Sequence, residues 1–225
     1  MNIGYLTNHS YNRPFVTIKF AISLDGKISL KNKNSKWISN SLSRNFGHML
    51  RAQSDGILTT NSTIKEDNSK MTCRLNGLEK FSPLKIIVDR GLKLSNQYAI
   101  FKNSNKENLI VYHNTNDQKK IKNYSKNADL IYINNKKNFL KLILNDLANR
   151  KIKNLLIESG TIFSTEIIKA NLVDQIAFFR SNKIIGNDGL PFVNNLSLKK
   201  ISDSISMKVI AVSYTHLTLP TNSGV

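Results

Sequence analysis

The feature that most constrains this 225-residue chain is a series of short apolar runs, each bounded by polar or turn-forming residues. Their length and branched side chains are typical of strands that are buried on both faces of a sheet. We predict strands at Phe15–Ile22, Gly56–Thr59, Leu84–Val88, Leu109–Tyr112, Leu130–Ile133, Asn154–Ile157, Gln175–Phe179 and Met207–Val212.

Stretches with helical spacing of apolar residues alternate with these runs. They are Leu42–Leu50, with Ser39 or Ser41 as the candidate N-cap, then Phe139–Leu147, and Ile162–Ala170. Strands that alternate with helices predict an α/β fold, in which a central sheet has helices on both faces. The Lys- and Asn-rich patches between these elements are predicted to be surface loops: Lys31–Lys36, Asn103–Asn108, Asn114–Asn127 and Asn134–Asn138.

The formal net charge of +18, from 33 basic and 15 acidic residues, has two interpretations. One is an anionic partner, such as a nucleic acid, a phosphorylated metabolite or a dinucleotide. The other is codon bias in an A/T-rich genome, since 26 of the basic residues are Lys, only 7 are Arg, and 30 residues are Asn. Surfaces that bind nucleic acid specifically favour Arg, so the composition argues against a specific nucleic-acid binder.

Several classes of protein are excluded by what the chain contains. Cys73 is the single cysteine, which excludes an internal disulfide framework and a Cys-rich zinc site. The histidines His9, His48, His113 and His216 lack metal-ligand spacing. No stretch approaches the ~18 apolar residues of a membrane span, and the N-terminus has no apolar signal core. We therefore expect a cytoplasmic protein with no membrane contact and no metal.

Ligands of an α/β sheet bind beyond the carboxyl ends of its strands, often against a helix N-terminus. Glu158 ends a predicted strand, and Gly160 would let a ligand approach the backbone closely; the alternative is an ordinary strand–turn–helix segment with Thr161 as its cap. Trp37 could stack on a planar ring or fill the core. Arg51 and Arg74 could each hold a phosphate or be solvated charges. The residues alone thus predict an α/β domain with a site for an anionic ligand.

Nine segments, taken in chain order, carry a more specific resemblance. They are Arg13–Ile28, Ser35–Ser39, Leu50–Leu58, Thr63–Asn68, Met71–Arg74, Pro83–Asp89, Ile157–Gly160, Asn171–Gln175 and Lys183–Gly186. The series resembles the motifs of the reductase domain of the bifunctional riboflavin-biosynthesis deaminase/reductase family, whose opening motif is RPFVxxKxAxSLDGxI. The resemblance covers about residues 13 to 210.

The resemblance implies a dihydrofolate-reductase-like fold, with a mixed central sheet, helices on both faces and NADPH across the strand ends. The implied reaction reduces the ribosyl group of a phosphorylated pyrimidine, 5-amino-6-(5-phosphoribosylamino)uracil, to a ribityl chain. By family position, the cofactor would contact Ala21, Trp37, Thr63, Asp67 and the run Gly160, Thr161, Ile162, Phe163, Ser164, Thr165 and Glu166. The substrate would contact Ser35, Arg51, Met71, Arg74 and Glu158.

Lys19 and Glu158 are the expected catalytic residues. Lys19 shares a strand face with Ala21, so we expect it near the substrate as an electrostatic or proton-relay group; the alternative is a solvated or salt-bridged lysine. Arg90 stands where the family commonly has a small hydroxyl residue beside the cofactor, which leads to the hypothesis that it binds the 2′-phosphate of NADPH. Residues 161–166 match the family's cofactor loop by position rather than by residue type.

The resemblance also divides the chain. Residues 1–12 are interpreted as a remnant of an interdomain linker, 13–212 as the reductase domain, and 213–225 as an atypical tail that is either foreign or frame-shifted. We expect no deaminase domain in this sequence, because its P-C-x-x-C motif cannot exist with one cysteine. The chain would then be either a fragment of a bifunctional enzyme, with an upstream deaminase domain as its partner, or a stand-alone reductase. We also expect a homodimer. The alternatives are another reductase of this fold, acting on a pterin or pyrimidine, and a basic nucleic-acid-binding module.

Overall fold

The structure is a computed structural model that describes residues 3–32, 34, 38, 40–102 and 104–212. The chain divides into two compact units, Met1–Asn194 and Asn195–Val225. The expectations for Ser35, Trp37 and the N-cap candidate Ser39, and those for the tail at 213–225, lie outside the described residues.

Seven strands of the first unit form one sheet. They are β1 (Phe15–Ile22), β3 (Gly56–Thr60), β4 (Leu84–Val88), β5 (Leu109–His113), β6 (Asp129–Tyr132), β7 (Asn154–Ile157) and β8 (Gln175–Arg180). The strand order is β6-β5-β4-β3-β7-β1-β8, and every neighbouring pair is parallel. The antiparallel pairing expected of a mixed sheet occurs instead in a separate ribbon of β2 (Lys27–Leu30) and β9 (Gly189–Pro191).

The connections between these strands are mostly helical. The helices are α1 (Ile3–Tyr11), α2 (Ser41–Ala52), α3 (Asn61–Asp67), α4 (Ala99–Lys102), α5 (Gln118–Tyr124), α6 (Phe139–Asn149) and α7 (Thr161–Lys169). Short 3₁₀ turns occur at Glu79–Phe81 and Gly186–Asp188, and the described part of the second unit holds another at Ile201–Asp203. No helix in the described ranges has the length and apolar character that crossing a bilayer requires.

Two apolar clusters lie on opposite faces of the sheet, because neighbouring strand residues point in opposite directions. Ile86 packs in a cluster with side chains of α6 and α7, whereas Ile87 packs in the other with side chains of α3, α4 and α5. Along β1, the predicted alternation is confirmed: Val16 and Ile18 are fully buried. The prediction of helices on both faces of an α/β sheet is therefore confirmed.

Three local predictions were wrong. Asn114–Asn127 is not all loop, since Asp117 accepts hydrogen bonds from the Lys119 and Lys120 amides and so starts helix α5. The N-cap of α2 is Asn40, whose side chain accepts from the Ser43 amide at 2.8 Å; Ser41 is already helical. Residues 207–212 are not a strand, since a strand needs a hydrogen-bonded partner and the described part of their unit contains no strand.

Helix α2 exists as predicted, but its apolar stripe is not its buried face. Leu42, Phe46 and Met49 are 47 %, 45 % and 40 % exposed. The buried residues of α2 are Gly47 and Arg51. The helix thus turns a small residue and a guanidinium towards the sheet, which is the first structural sign of a polar site beneath it.

Candidate active site

The candidate site lies at the carboxyl edge of the sheet, where β7 has β3 and β1 as its neighbours. Because these strands are parallel, the residues that follow them emerge at one edge. Helix α3 begins directly after β3, and three residues separate the end of β7 from the start of α7. Glu158 lies in that short connection, held by a hydrogen bond from its amide to the Leu58 carbonyl at 3.0 Å.

A two-pronged ion pair joins α2 to this edge. Arg51 donates from Nε to Glu158 Oε1 at 2.8 Å and from Nη2 to Oε2 at 2.9 Å. Its Nη1 donates to the Thr72 carbonyl at 3.0 Å. The side chains of Arg51 and Glu158 are only 11 % and 13 % exposed, so the pair is largely withdrawn from water. Arg51 therefore holds Glu158 and the Thr72 backbone in fixed positions.

A second cation faces the same carboxylate. Lys19 Nζ lies 3.9 Å from Glu158 Oε2, and the lysine side chain is 21 % exposed. Burial opposes the ionisation of Glu158, but the charges of Lys19 and Arg51 outweigh it and lower the pKa of Glu158 to about 2. Glu158 is thus a carboxylate at neutral pH, so it can accept hydrogen bonds but cannot donate one.

Arg74 approaches the pair through a histidine that lies one turn before Arg51 on α2. The Arg74 amide lies 3.3 Å from His48 Nδ1, and its Nε lies 3.4 Å from His48 Nε2. Within the described ranges, no carboxylate lies in ion-pair distance of the exposed Arg74 guanidinium. Arg74 is consequently the better placed of the two arginines to meet an anion.

The segment between α3 and Arg74 has an unusual backbone. Asn68 ends α3 in the left-handed region, with φ 45°, and Met71 has φ 54°. A positive φ at a methionine is strained and persists only where surrounding contacts hold it. Met71 as a whole residue is only 2 % exposed, and its side chain packs in the core. The substrate contact expected of Met71 therefore has very little accessible surface in this structure.

The N-terminus of α7 is open. Gly160 is its N-cap, and no side chain caps the helix there. No described atom lies within 4 Å of the position that a Cβ on Gly160 would occupy. Uncapped amides at a helix N-terminus attract anions. The predicted close approach of a ligand to Gly160 is compatible with this geometry.

The other residues of the segment that is predicted to contact the cofactor differ in their exposure. Ile162 is 75 % exposed, whereas Phe163 is buried in the core. Ser164 is fully buried and shares a 3.0 Å hydrogen bond with Ser159, and Thr165 donates to the Thr161 carbonyl at 2.7 Å. The side chains of residues 163–165 thus serve the fold, and a ligand at this end would meet backbone amides.

Arg90 and Glu166 form one ion pair. Arg90 Nη2 lies 3.1 Å from Glu166 Oε2, with the two side chains 47 % and 40 % exposed. The Arg90 guanidinium also lies over the Phe139 ring, 4.9 Å from its centroid. This arrangement brings two residues predicted to contact the cofactor together beside α7. The partial neutralisation of Arg90 by Glu166 weakens its attraction for a phosphate.

The remaining predicted residues that the structure describes lie on β1 and α3. Ala21 is near the end of β1, and Thr63 and Asp67 are on α3. The amide of Thr63 donates to Thr60 Oγ1, which caps α3. Ser35 and Trp37 lie outside the described residues. Sequence reasoning missed His48, although its spacing of three residues from Arg51 puts both on one helix face.

Comparisons with known proteins identify the family of this chain. Residues 14–217 match the family described as the RibD C-terminal domain. The chain is 30 % identical over 209 residues to the riboflavin biosynthesis protein RibD of Aquifex aeolicus, covering 92 % of this chain and 57 % of that protein. It is 28 % identical over 192 residues to the 5-amino-6-(5-phosphoribosylamino)uracil reductase of Buchnera aphidicola, covering 80 % and 90 %.

Two solved structures share the fold. One is RibD of Acinetobacter baumannii, with a TM-score of 0.81 and 24 % identity, covering 93 % of this chain and 57 % of that one. The other, from Thermotoga maritima, is described as a deaminase and 5-amino-6-(5-phosphoribosylamino)uracil reductase; its TM-score is 0.77 and its identity 27 %, covering 95 % and 57 %. The chain thus spans a little over half the length of the RibD proteins that it matches.

Proposed function

We propose that this chain, which belongs to the RibD C-terminal domain family, reduces the ribosyl group of 5-amino-6-(5-phosphoribosylamino)uracil to the ribitylamino product with NADPH. The observation that carries the proposal is the buried Arg51–Glu158 pair, which lies at the same sheet edge as the open N-terminus of α7. Such an edge offers one region for a dinucleotide and another for a polar substrate. The relative from Buchnera is named for this reaction.

The described residues fit a nicotinamide dinucleotide. Gly160 leaves open space where any other residue would carry a Cβ, and the first amides of α7 lack a side-chain cap. These amides would hold the pyrophosphate, because the positive end of the helix dipole favours negative charge. The bound cofactor supplies a hydride, and the protein orients the reactants and keeps water out. Arg90 would contact a 2′-phosphate only by leaving Glu166.

Glu158 is the proposed anchor for the substrate. Its oxygens accept hydrogen bonds from N–H or O–H groups of the pyrimidine or ribose. Arg51 uses Nε, Nη1 and Nη2 within the protein, so its role is to orient Glu158 more than to hold a phosphate. Arg74 would then bind the substrate phosphate, because an exposed guanidinium can form two parallel hydrogen bonds to it.

Lys19 is the proposed electrostatic or proton-donating group. Its Nζ faces Glu158 Oε2 at 3.9 Å, and a protonated amine there would stabilise negative charge that develops on a neighbouring oxygen. The proton would move from Nζ to that oxygen when the sugar opens. Lys19→Met should retain NADPH binding and lose most turnover; unchanged turnover would remove Lys19 from the mechanism.

The same proposal includes NADPH rather than NADH as the cofactor, a homodimer, a cytoplasmic location and a deaminase partner. The Thermotoga protein unites a deaminase and a reductase in its description, which supports a deaminase that supplies the substrate. Comparing turnover with NADPH and NADH in the wild type and in Arg90→Ser tests the cofactor choice. Sedimentation of the purified protein tests the homodimer.

The central experiment is turnover of the purified chain. NADPH oxidation is followed with the deaminated phosphoribosyl pyrimidine and with its dephosphorylated form. We expect NADPH oxidation with the first, and an increase of about tenfold or more in KM when the phosphate is absent, as for the loss of a charge-assisted hydrogen-bond pair. Arg74→Met should abolish the preference for phosphate. The control Lys169→Met, which removes one exposed cation at the far end of α7, should preserve it.

No turnover of either substrate, by a protein that binds NADPH and is folded, would contradict the proposed reaction. Turnover of a pterin in place of the pyrimidine would favour the alternative reductase. Both outcomes leave the fold assignment unchanged.

A further inference from the structure

His48 contacts the segment that carries Arg74 at both its backbone and its guanidinium. The Arg74 amide lies 3.3 Å from Nδ1 and its Nε lies 3.4 Å from Nε2. The imidazole also hydrogen-bonds the backbone of Thr72, whose carbonyl accepts from Arg51. His48 therefore joins the rigid helix that presents Arg51 to the loop that presents Arg74.

The protonation state of His48 decides which of these contacts form. A neutral imidazole has one N–H donor and one acceptor nitrogen, so it can donate to a backbone carbonyl and accept one hydrogen bond from Arg74. A protonated imidazole has two donors and no acceptor, and it repels a guanidinium. Only the neutral form can therefore hold the Arg74 guanidinium through its Nε.

The charges around His48 favour the neutral form. On its own helix it faces Arg51; the loop contributes Arg74, and the end of β7 contributes Glu158. Lys19 on β1 lies beneath the same part of α2, since its Cε is 3.7 Å from where a Cβ on Gly47 would be. Burial and the cations Arg51 and Arg74 lower the pKa of His48, and Glu158 opposes them.

We propose that His48 is a positioning residue: as a neutral imidazole it accepts a hydrogen bond from Arg74 and so aims the guanidinium at the substrate phosphate. The inference rests on the proposed function and extends it, because it makes phosphate recognition dependent on a residue that does not touch the phosphate. Arg74 has no carboxylate within ion-pair distance among the described residues, so this acceptor is what orients it.

Kinetics with two variants tests the role. His48→Leu removes the acceptor, and we expect KM for the phosphorylated substrate to rise about tenfold, as for a lost hydrogen bond to a charged group, with little change in kcat. KM for the dephosphorylated substrate should not change. His48→Gln places an amide oxygen near the position of Nε2 and should restore most of the loss at neutral pH.

The pH profile separates positioning from a merely structural role. In the wild type, KM for the phosphorylated substrate should rise on the acid side as His48 gains a proton. The Gln side chain of His48→Gln does not titrate. The pH dependence of KM in this variant should therefore lack the contribution of His48 and retain only that of the substrate phosphate. Superimposable profiles of the wild type and His48→Gln would overturn the inference, as would an unchanged KM in His48→Leu.

A measurement without substrate keeps the inference testable if the proposed reaction fails. The imidazole resonances of His48, assigned by their loss in His48→Gln, are titrated by NMR in the wild type and in Arg74→Met. Removing the neighbouring guanidinium should raise the pKa of His48, and the control Lys169→Met should not. An unchanged His48 titration in Arg74→Met would refute the contact, whatever the enzyme reduces.

Discussion

Replacing Glu158 with Gln tests whether the buried ion pair has the energetics that its geometry implies. The substitution keeps the size of the side chain and removes its charge, so Arg51 and Lys19 lose the carboxylate that they share. Both cations then lie close together in a region that is largely withdrawn from water. Removal of one partner from a buried pair destabilises strongly, because the other charge is left uncompensated.

The magnitude follows from the pKa of Glu158. Folding lowers it from the ordinary 4.5 to about 2. At about 1.4 kcal/mol per pKa unit, the ionised carboxylate contributes about 3 kcal/mol to the free energy of unfolding at neutral pH. Because the folded-state pKa is the lower one, the contribution is complete above pH 4.5 and is lost as the pH falls towards 2. By about pH 3, roughly 2 kcal/mol of it should be gone.

The assay is urea unfolding at neutral pH, near pH 5 and near pH 3, followed by circular dichroism. The wild type should exceed Glu158→Gln in unfolding free energy by about 3 kcal/mol at neutral pH and by about 1 kcal/mol near pH 3. Glu107→Gln changes an exposed carboxylate before β5 and should match the wild type throughout. A difference between the wild type and Glu158→Gln that does not vary with pH would refute the linkage.

Three further substitutions address the fold and the helix terminus. Gly160→Ala should leave the unfolding free energy within about 1 kcal/mol of the wild type, because no described atom is within 4 Å of the new Cβ. The substitution should nevertheless weaken NADPH binding, which fluorescence titration measures. An unchanged affinity for NADPH would contradict a cofactor at this backbone. Gly47→Ala should raise the unfolding free energy by about 0.5–1 kcal/mol, since its Cβ would meet Lys19 Cε at an ordinary 3.7 Å; a lower melting temperature would contradict this. Asp174→Asn should lower the unfolding free energy by about 1–3 kcal/mol, because Asp174 accepts hydrogen bonds from Arg13 at 2.6 and 2.8 Å and from the Val16 amide at 2.8 Å. Denaturant unfolding measures this loss.

The strands were predictable because their signal is local. In β1 the alternation of apolar residues reports directly which side chains face the core, and the buried positions Val16 and Ile18 agree with it. Helix α5 was missed for the opposite reason: its sequence is almost entirely polar, and its start depends on the side chain of Asp117. Composition alone cannot distinguish such a capped helix from a loop.

The exposure of α2 shows where a local pattern misleads. Its apolar stripe predicted the helix correctly but not its orientation, since Leu42 and Phe46 are exposed while Arg51 is buried. The orientation is decided by a contact across 107 positions of sequence, between Arg51 and Glu158. A periodic pattern carries no information about a partner that distant, so the site could be inferred only from the resemblance of several segments together.

The same contact separates two arginines that look alike in the sequence. Arg51 and Arg74 are both scarce guanidiniums near polar segments, and both fit phosphate binding when considered alone. Arg51 is buried and donates its hydrogen bonds to Glu158 and Thr72, whereas Arg74 is exposed and contacts His48. A buried ion pair adds little net stability compared with apolar packing. The pair is therefore better explained by what it presents to a ligand. It fixes the Glu158 carboxylate beside Lys19, and the exposed Arg74 guanidinium lies against His48, one helical turn from Arg51.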